Sequence, residues 1–301
     1  YMVIDQGLID ELIPETYATR PPKVDLLIDV GSSWVIPGLI DLHIHGAGGW
    51  GVHDAQPYQL EGMARYLAGL GTTAFFPTLS TSSVDTIEAT IDVVRETMRK
   101  GTNGSHILGL HLEGPFLNPN QSGAQPKEFI IPPDRELAMQ WVNRSQGTLK
   151  RLTLAPEMPN AMELIQTLRD LIVIAGGHTD ATYDETIDAI RQGVRIANHS
   201  FNAMRAFRHR EPGATGAYLT DDRVFCEIIA DGIHVHPAAI NLLVRAVGDR
   251  RVCLVTDSLP LAGLPPGKYR SEGREVHVTM AGHCILSDGT IAGSTTSLIK
   301  E

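Results

Sequence analysis

From Trp34 onward, short apolar runs alternate with amphipathic stretches, and this rhythm restricts the fold more than any other feature of the chain. Eight strand candidates follow in order, at 35–42, 72–76, 107–112, 148–154, 172–175, 195–198, 224–229 and 252–256. Helix candidates separate most of them, at 58–70, 84–100, 134–146, 160–169, 184–192 and 237–248. The stretch 84–100 is the clearest, because Val84, Ile87, Ile91 and Val94 recur at helical spacing with polar residues between them. Strands joined by crossover helices make a parallel sheet. Eight of them fit a closed (β/α)8 barrel of the TIM type better than an open sheet of five or six.

Residues 1–34 follow another pattern. Their apolar runs at 2–4, 8–13 and 26–30 alternate with turn signals, which predicts part of a small β-sandwich appendage. The barrel is then expected over 35–301, interrupted at 267–291 by a β-hairpin insertion. The Val276/Val278 alternation and the Ser287-Asp288-Gly289 turn mark that insertion. The first residues read as the middle of a strand and the last five as the middle of a helix, so a chain truncated at both ends is expected.

Composition sets the outer limits. With 43% of its 301 residues hydrophobic, the chain can bury a large core. A formal charge of -10 argues against a nucleic-acid or membrane-surface partner, and no apolar run reaches the length of a membrane span. Cys226, Cys253 and Cys284 contain no CxxC pair and lie in apolar strands, the pattern of reduced core thiols in a cytoplasmic enzyme.

A barrel of this kind carries its active site at the carboxyl ends of its strands. Here those ends read Asp41-Leu42-His43-Ile44-His45, His111-Leu112-Glu113-Gly114-Pro115, Gly176-Gly177-His178, Asn198-His199 and Val255-Thr256-Asp257. The two-residue period of a strand points His43 and His45 to the same side. Each residue alone has an ordinary explanation: a packed histidine, a solvated loop acid, an aspartate capping a turn. Together, four imidazoles and two carboxylates around one barrel mouth would leave costly unpaired charge without a cation. The donor set suits Zn²⁺, Fe²⁺, Mn²⁺ or Co²⁺, with zinc the first expectation and one or two ions per chain. The glycines of Gly46-Ala47-Gly48-Gly49-Trp50-Gly51 match a dinucleotide fingerprint, but Phe76-Pro77 stands where that fingerprint needs an acid. A flexible loop approaching the bound substrate is the better expectation.

The run Val35-Ile36-Pro37-Gly38-Leu39-Ile40-Asp41-Leu42-His43-Ile44-His45-Gly46 resembles the opening strand of the amidohydrolase superfamily. Further segments resemble the N-acetylglucosamine-6-phosphate deacetylases within it. These are His111-Leu112-Glu113-Gly114-Pro115-Phe116, Gly177-His178-Thr179, His199-Ser200-Phe201-Asn202-Ala203-Met204, Arg210-Glu211-Pro212-Gly213 and Ala230-Asp231-Gly232-Ile233-His234. The resemblance implies Glu113, His178 and His199 as ligands of a main metal, and His43 and His45 as ligands of a second, with Glu113 bridging. It implies Asp257 as general acid and base, and Arg210 and His234 on the phosphate side of the substrate, Arg210 reaching across the interface of a homodimer. Ala124, Gln125, Asn202, Ala203, Asp231, Gly232, Ile233, Ile291, Ala292 and Gly293 match further substrate contacts. Some members of the family carry histidine where this chain has Gln125, and glutamine can hydrogen-bond but cannot carry a proton.

The implied reaction is hydrolysis of the acetamide of an amino-sugar phosphate, a small-molecule substrate. A divalent cation lowers the pKa of a coordinated water to about 7 and so supplies a nucleophile at neutral pH. Two alternatives stay open at this point: another amidohydrolase, such as a cyclic amidase or a deaminase, and a catalytically silent scaffold that keeps the barrel.

Overall fold

The computed structural model describes residues 1–17, 20–53 and 56–301. The chain divides into a unit of Tyr1–Pro37 and a unit of Gly38–Glu301. In the first, β1 (Met2–Asp5) and β2 (Leu8–Leu12) pair antiparallel across Gln6-Gly7. Residues 26–30, expected as a strand, pair with no other strand among the described residues.

The second unit is built on a parallel sheet whose continuous path has eight strands among the described residues: β3 (Leu39–Ile44), β6 (Thr72–Leu79), β8 (Leu110–Glu113), β9 (Leu149–Leu154), β10 (Val173–Gly176), β11 (Val194–Ala197), β12 (Phe225–Ile228) and β13 (Val252–Leu254). They follow one another in that order around the sheet. The last meets the first: Ile44 bridges Ser258 in parallel, Asp257 N donates to His43 O at 2.9 Å, and His45 N donates to Ser258 O at 2.9 Å. The sheet closes where the expected site lies.

Two short strands, β4 (Gly46–Ala47) and β5 (Trp50–Gly51), follow β3, and β7 (His106–Ile107) precedes β8. Strand β3 starts four residues later than expected, since Pro37 has no N–H to give to a ladder and pairing begins at Leu39 opposite Thr72. The strand expected at 107–112 is broken at Leu108-Gly109, where Gly109 has φ +155°.

Helices α1 (Pro57–Ala68), α2 (Val84–Lys100), α3 (Arg135–Ser145), α4 (Ala161–Leu168), α5 (Tyr183–Gln192) and α7 (Pro237–Val247) take the expected places. In α2, the Ser83 side chain accepts the Thr86 N–H at the N-terminus, and Ile87, Ile91 and Val94 are buried. Helix α6 (Gly213–Thr220) has no counterpart in the sequence reading. Seven of its residues, Gly213 to Leu219, are buried, so it has no polar face and hence no amphipathic stripe to detect.

The segment expected as a hairpin insertion carries three antiparallel strands, β14 (Gly267–Ser271), β15 (Arg274–Val278) and β16 (Cys284–Leu286). Val276, Val278 and Cys284 turn inward against Leu259, Leu261 and Ala292, which accounts for the alternation. The three cysteines are free; burial comes first in pushing Cys226 and Cys284 up to about 12 and Cys253 up to about 11.

Candidate functional site

Six side chains from five strand ends converge at the closed mouth. His43 lies within β3 and His45 just beyond it, on the same side of the strand, with their Nε2 atoms 3.2 Å apart. Glu113 ends β8. His178, His199 and Asp257 follow β10, β11 and β13, and all three sit at positive φ, +47°, +27° and +46°. Such backbone is uncommon outside glycine. Here it turns three strand ends, those of β10, β11 and β13, so that their side chains face the mouth, strain placed at the candidate site. Gly293 (φ +36°) packs against the same place, where a Cβ would stand 2.8 Å from Asp257 O.

Glu113 is the centre. Its Oε1 lies 2.9 Å from His199 Nε2 and 3.1 Å from His178 Nε2, and its Oε2 lies 3.2 Å from His45 Nε2. Asp257 Oδ1 completes the other side, 3.0 Å from His45 Nε2 and 3.4 Å from His43 Nε2. Donor atoms thus fall into two groups that share Glu113, one with His43, His45 and Asp257, the other with His178 and His199.

The Nδ1 atoms explain why the Nε2 atoms face inward. His178 Nδ1 lies 3.0 Å from Gln121 O, and His43 Nδ1 lies 3.4 Å from Glu227 Oε2. His45 Nδ1 lies 3.0 Å from Ser80 Oγ, whose hydroxyl donates to Glu272 Oε1 at 3.1 Å. A carbonyl and a carboxylate only accept, and Ser80 has already given its one proton to Glu272. All three Nδ1 atoms therefore carry hydrogen, which leaves each Nε2 lone pair free for a cation.

Charge makes the same point. Burial alone would lower His43, but Glu113 and Asp257 hold it up to about 9. His45 is likewise raised well above the ordinary imidazole value against its burial, by Asp257 and Glu113. Burial would raise Glu113 and Asp257, yet the imidazoles bring Glu113 well below the carboxylate range and Asp257 down to about 2. Protons on the imidazoles occupy the place a divalent cation would take. The donor set, its paired Nε2 atoms and its shared carboxylate fit such an ion.

A cavity opens above this cluster. Ala124, Gln125, Asn202 and Ala203 line it, as do Ile291, Ala292, Gly293 and His234. Gln125 Nε2 donates to Glu113 Oε2 at 2.6 Å while its Oε1 accepts the Thr81 N–H, so it holds the central carboxylate directly. Asp231, Gly232 and Ile233 are not part of the lining. Asp231 Oδ1 accepts the N–H groups of Ile233 and His234 at 2.8 and 2.9 Å, and its Oδ2 lies 2.7 Å from His234 Nδ1. The buried His234 Nε2 has no partner. Burial lowers this imidazole, but Asp231 more than offsets it, so the group is held above its ordinary value and Nε2 can carry a proton into the cavity. Arg210 is exposed and outside the cavity lining, and forms no ion pair among the described residues.

The sequence reading missed the support beneath the cluster. Glu227 hydrogen-bonds His43 and is itself held by Arg151, while Ser80 hydrogen-bonds His45 from the cavity wall and is itself held by Glu272. Glu227 is the one charge in the short apolar strand β12, and Arg151 falls on the opposite face of β9 from the exposed Lys150; those inward-facing charges were the available signal. The glycine-rich segment also differs from the expected flexible loop. β4 and β5 form a hairpin turning at Gly48 (φ +63°) and Gly49 (φ +88°), the pair of positive values that a two-residue hairpin turn demands. Its turn amides donate to Ala262 O and Pro260 O at 2.8 and 2.7 Å, and it does not line the cavity.

A closed parallel barrel with a histidine–carboxylate centre at its carboxyl ends defines a class, the barrel hydrolases whose centre is built for divalent cations. The chain belongs to the amidohydrolase family, whose model matches residues 34–297, and within it to the N-acetylglucosamine-6-phosphate deacetylases. It is 40% identical to N-acetylglucosamine-6-phosphate deacetylase of Bacillus subtilis, over 98% of this chain and 74% of that protein. N-acetylgalactosamine-6-phosphate deacetylase of Escherichia coli O157:H7 is 38% identical, over 87% of this chain and 69% of its own length. Among solved structures, an aspartate-to-alanine mutant of the Mycobacterium smegmatis N-acetyl-D-glucosamine-6-phosphate deacetylase, in complex with N-acetyl-D-glucosamine-6-phosphate, superimposes with a TM-score of 0.87 at 32% identity. The match covers 93% of this chain and 73% of that one.

Proposed function

We propose that this chain hydrolyses N-acetylglucosamine 6-phosphate to glucosamine 6-phosphate and acetate, as part of amino-sugar catabolism and recycling. The observation that carries the reading is Asp257, 3.0 Å from His45 Nε2, lining the same cavity as His234. That placement supports a proton carrier and a hydrogen-bond donor facing one bound substrate.

The cluster would hold one or two divalent cations, zinc first. Glu113, His178 and His199 would take the main ion, and His43, His45 and Asp257 the second. When bound, the cation activates water and polarises the amide carbonyl. The rest falls to the chain. Asp257, ionised at neutral pH, accepts the proton of the attacking water and then delivers it to the departing nitrogen, which leaves as the amine. His234, whose hold on a proton Asp231 strengthens against burial, donates from Nε2 to the carbonyl oxygen as negative charge develops there.

Main-chain and side-chain groups of Ala124, Asn202, Ala203 and the 291–293 turn orient the sugar. Arg210 meets the phosphate from a second copy of the chain in a homodimer, which fits its exposure outside the cavity of its own chain. Free cysteines fit a cytoplasmic enzyme. Among the described residues no helix is long and apolar enough to cross a membrane. The test is acetate release from N-acetylglucosamine 6-phosphate and from its galactosamine counterpart. Turnover of the first supports the assignment, turnover of the second alone moves it to the other sugar, and turnover of neither by folded, zinc-loaded protein overturns it.

A further inference from the structure

Beneath the cluster lies an ion pair that the proposed chemistry does not use. Arg151 on β9 and Glu227 on β12 are both buried inside the barrel and paired through both carboxylate oxygens, Nη2 reaching Oε2 at 2.8 Å. A buried pair gains little stability over apolar side chains of similar volume, because removing both charges from water is costly. What apolar side chains could not do is hold other polar groups in place. Glu227 Oε2 also lies 3.4 Å from His43 Nδ1 and 3.4 Å from the His199 N–H. The carboxylate is thus gripped from two sides and cannot turn away from His43.

The same guanidinium reaches further. Arg151 Nη2 donates to Asn198 Oδ1 at 2.5 Å, and Thr153 Oγ1 donates to that oxygen at 3.1 Å. With its oxygen so occupied, the Asn198 amide must point its NH2 the other way, where Nδ2 donates to Glu113 Oε1 at 2.8 Å.

We propose that Glu227, clamped by Arg151, is a positioning residue for the cation subsite of His43, His45 and Asp257. It accepts the hydrogen bond of His43 Nδ1–H, which keeps the proton on Nδ1 and so presents the Nε2 lone pair to the ion. Arg151 ties this to the orientation of Glu113 through Asn198, so a single buried charge aligns both halves of the centre. The inference rests on the reading that the cluster takes two cations.

The test is equilibrium dialysis of Zn²⁺ against the wild type, Glu227→Gln and Glu227→Asp, with circular dichroism to confirm folding. Two zinc ions per chain are expected in the wild type. Each variant should keep one at wild-type affinity and bind the second about 10- to 100-fold more weakly, the usual effect of losing an outer partner of a ligand histidine. The aspartate variant retains the charge opposite Arg151 and only withdraws the carboxylate from His43, so it decides the matter if Glu227→Gln does not fold. Two ions bound as in the wild type, or both weakened equally as by a merely structural change, would overturn the positioning role. One ion in the wild type would overturn the two-cation reading instead.

Discussion

His199 Nε2 lies 2.9 Å from Glu113 Oε1, although their strands, β11 and β8, are separated in the sheet by β9 and β10. The contact crosses the barrel mouth instead of following a ladder, and the same oxygen lies 3.1 Å from His178 Nε2. One carboxylate therefore anchors imidazoles from several strands. Glu113→Gln keeps the shape but replaces an anionic acceptor with a neutral amide. Zinc content should fall to below one per chain and turnover by more than about a hundredfold, since even outer partners are worth 10- to 100-fold. Metal analysis with steady-state kinetics checks this, and wild-type zinc content would contradict it.

Asp257→Asn tests the proposed proton carrier while leaving the ligands of the main cation in place. Glu113, His178 and His199 are untouched, so the main ion should remain. kcat should fall by about a hundred- to ten-thousandfold, the usual value of a positioned acid–base group. Turnover within a few-fold of the wild type would remove Asp257 from the mechanism.

His234 predicts the alkaline side of the pH profile. Its Nδ1 is 2.7 Å from Asp231 Oδ2, which holds the imidazole above its ordinary value against burial. With the protonated ring as the proposed donor, activity is expected below the His234 pKa and is expected to be lost as pH rises through it. Asp231→Asn removes the charge that raises the pKa, and the alkaline limb of kcat/KM should move to lower pH. A limb that stays in place or moves up would show that another group sets it.

Arg210 is exposed and outside the cavity of its own chain. As the phosphate contact of a homodimer, Arg210→Ala should raise KM for the phosphorylated sugar by about tenfold or more, the loss of one charged hydrogen bond. It should leave the unphosphorylated sugar unchanged. Equal losses on both substrates would contradict the role, and a monomer in sedimentation would contradict the route by which Arg210 arrives.

The barrel was legible because each strand and most helices repeat a local pattern. His43 and His45 share a face by the two-residue period alone, and α2 shows its buried stripe in Ile87, Ile91 and Val94. Helix α6 shows none, because Gly213 to Leu219 are buried all round and packing, with no polar face, decides its structure. The support layer was hidden for a different reason. Arg151 and Glu227 meet across 76 residues of sequence, and Ser80 meets Glu272 across 192, so no local spacing links them. Of the segment 231–234, the sequence marked all four residues as substrate contacts; only His234 reaches the cavity lining, while Asp231 acts on it from outside the lining.

The most direct test of the account is the rate of acetate release from N-acetylglucosamine 6-phosphate by the chelator-stripped protein before and after zinc is restored, beside unphosphorylated N-acetylglucosamine. The account predicts no measurable release from the stripped protein, recovery with zinc, and a strong preference for the phosphorylated sugar. Equal release with and without zinc, from a sample shown to be metal-free, would contradict it.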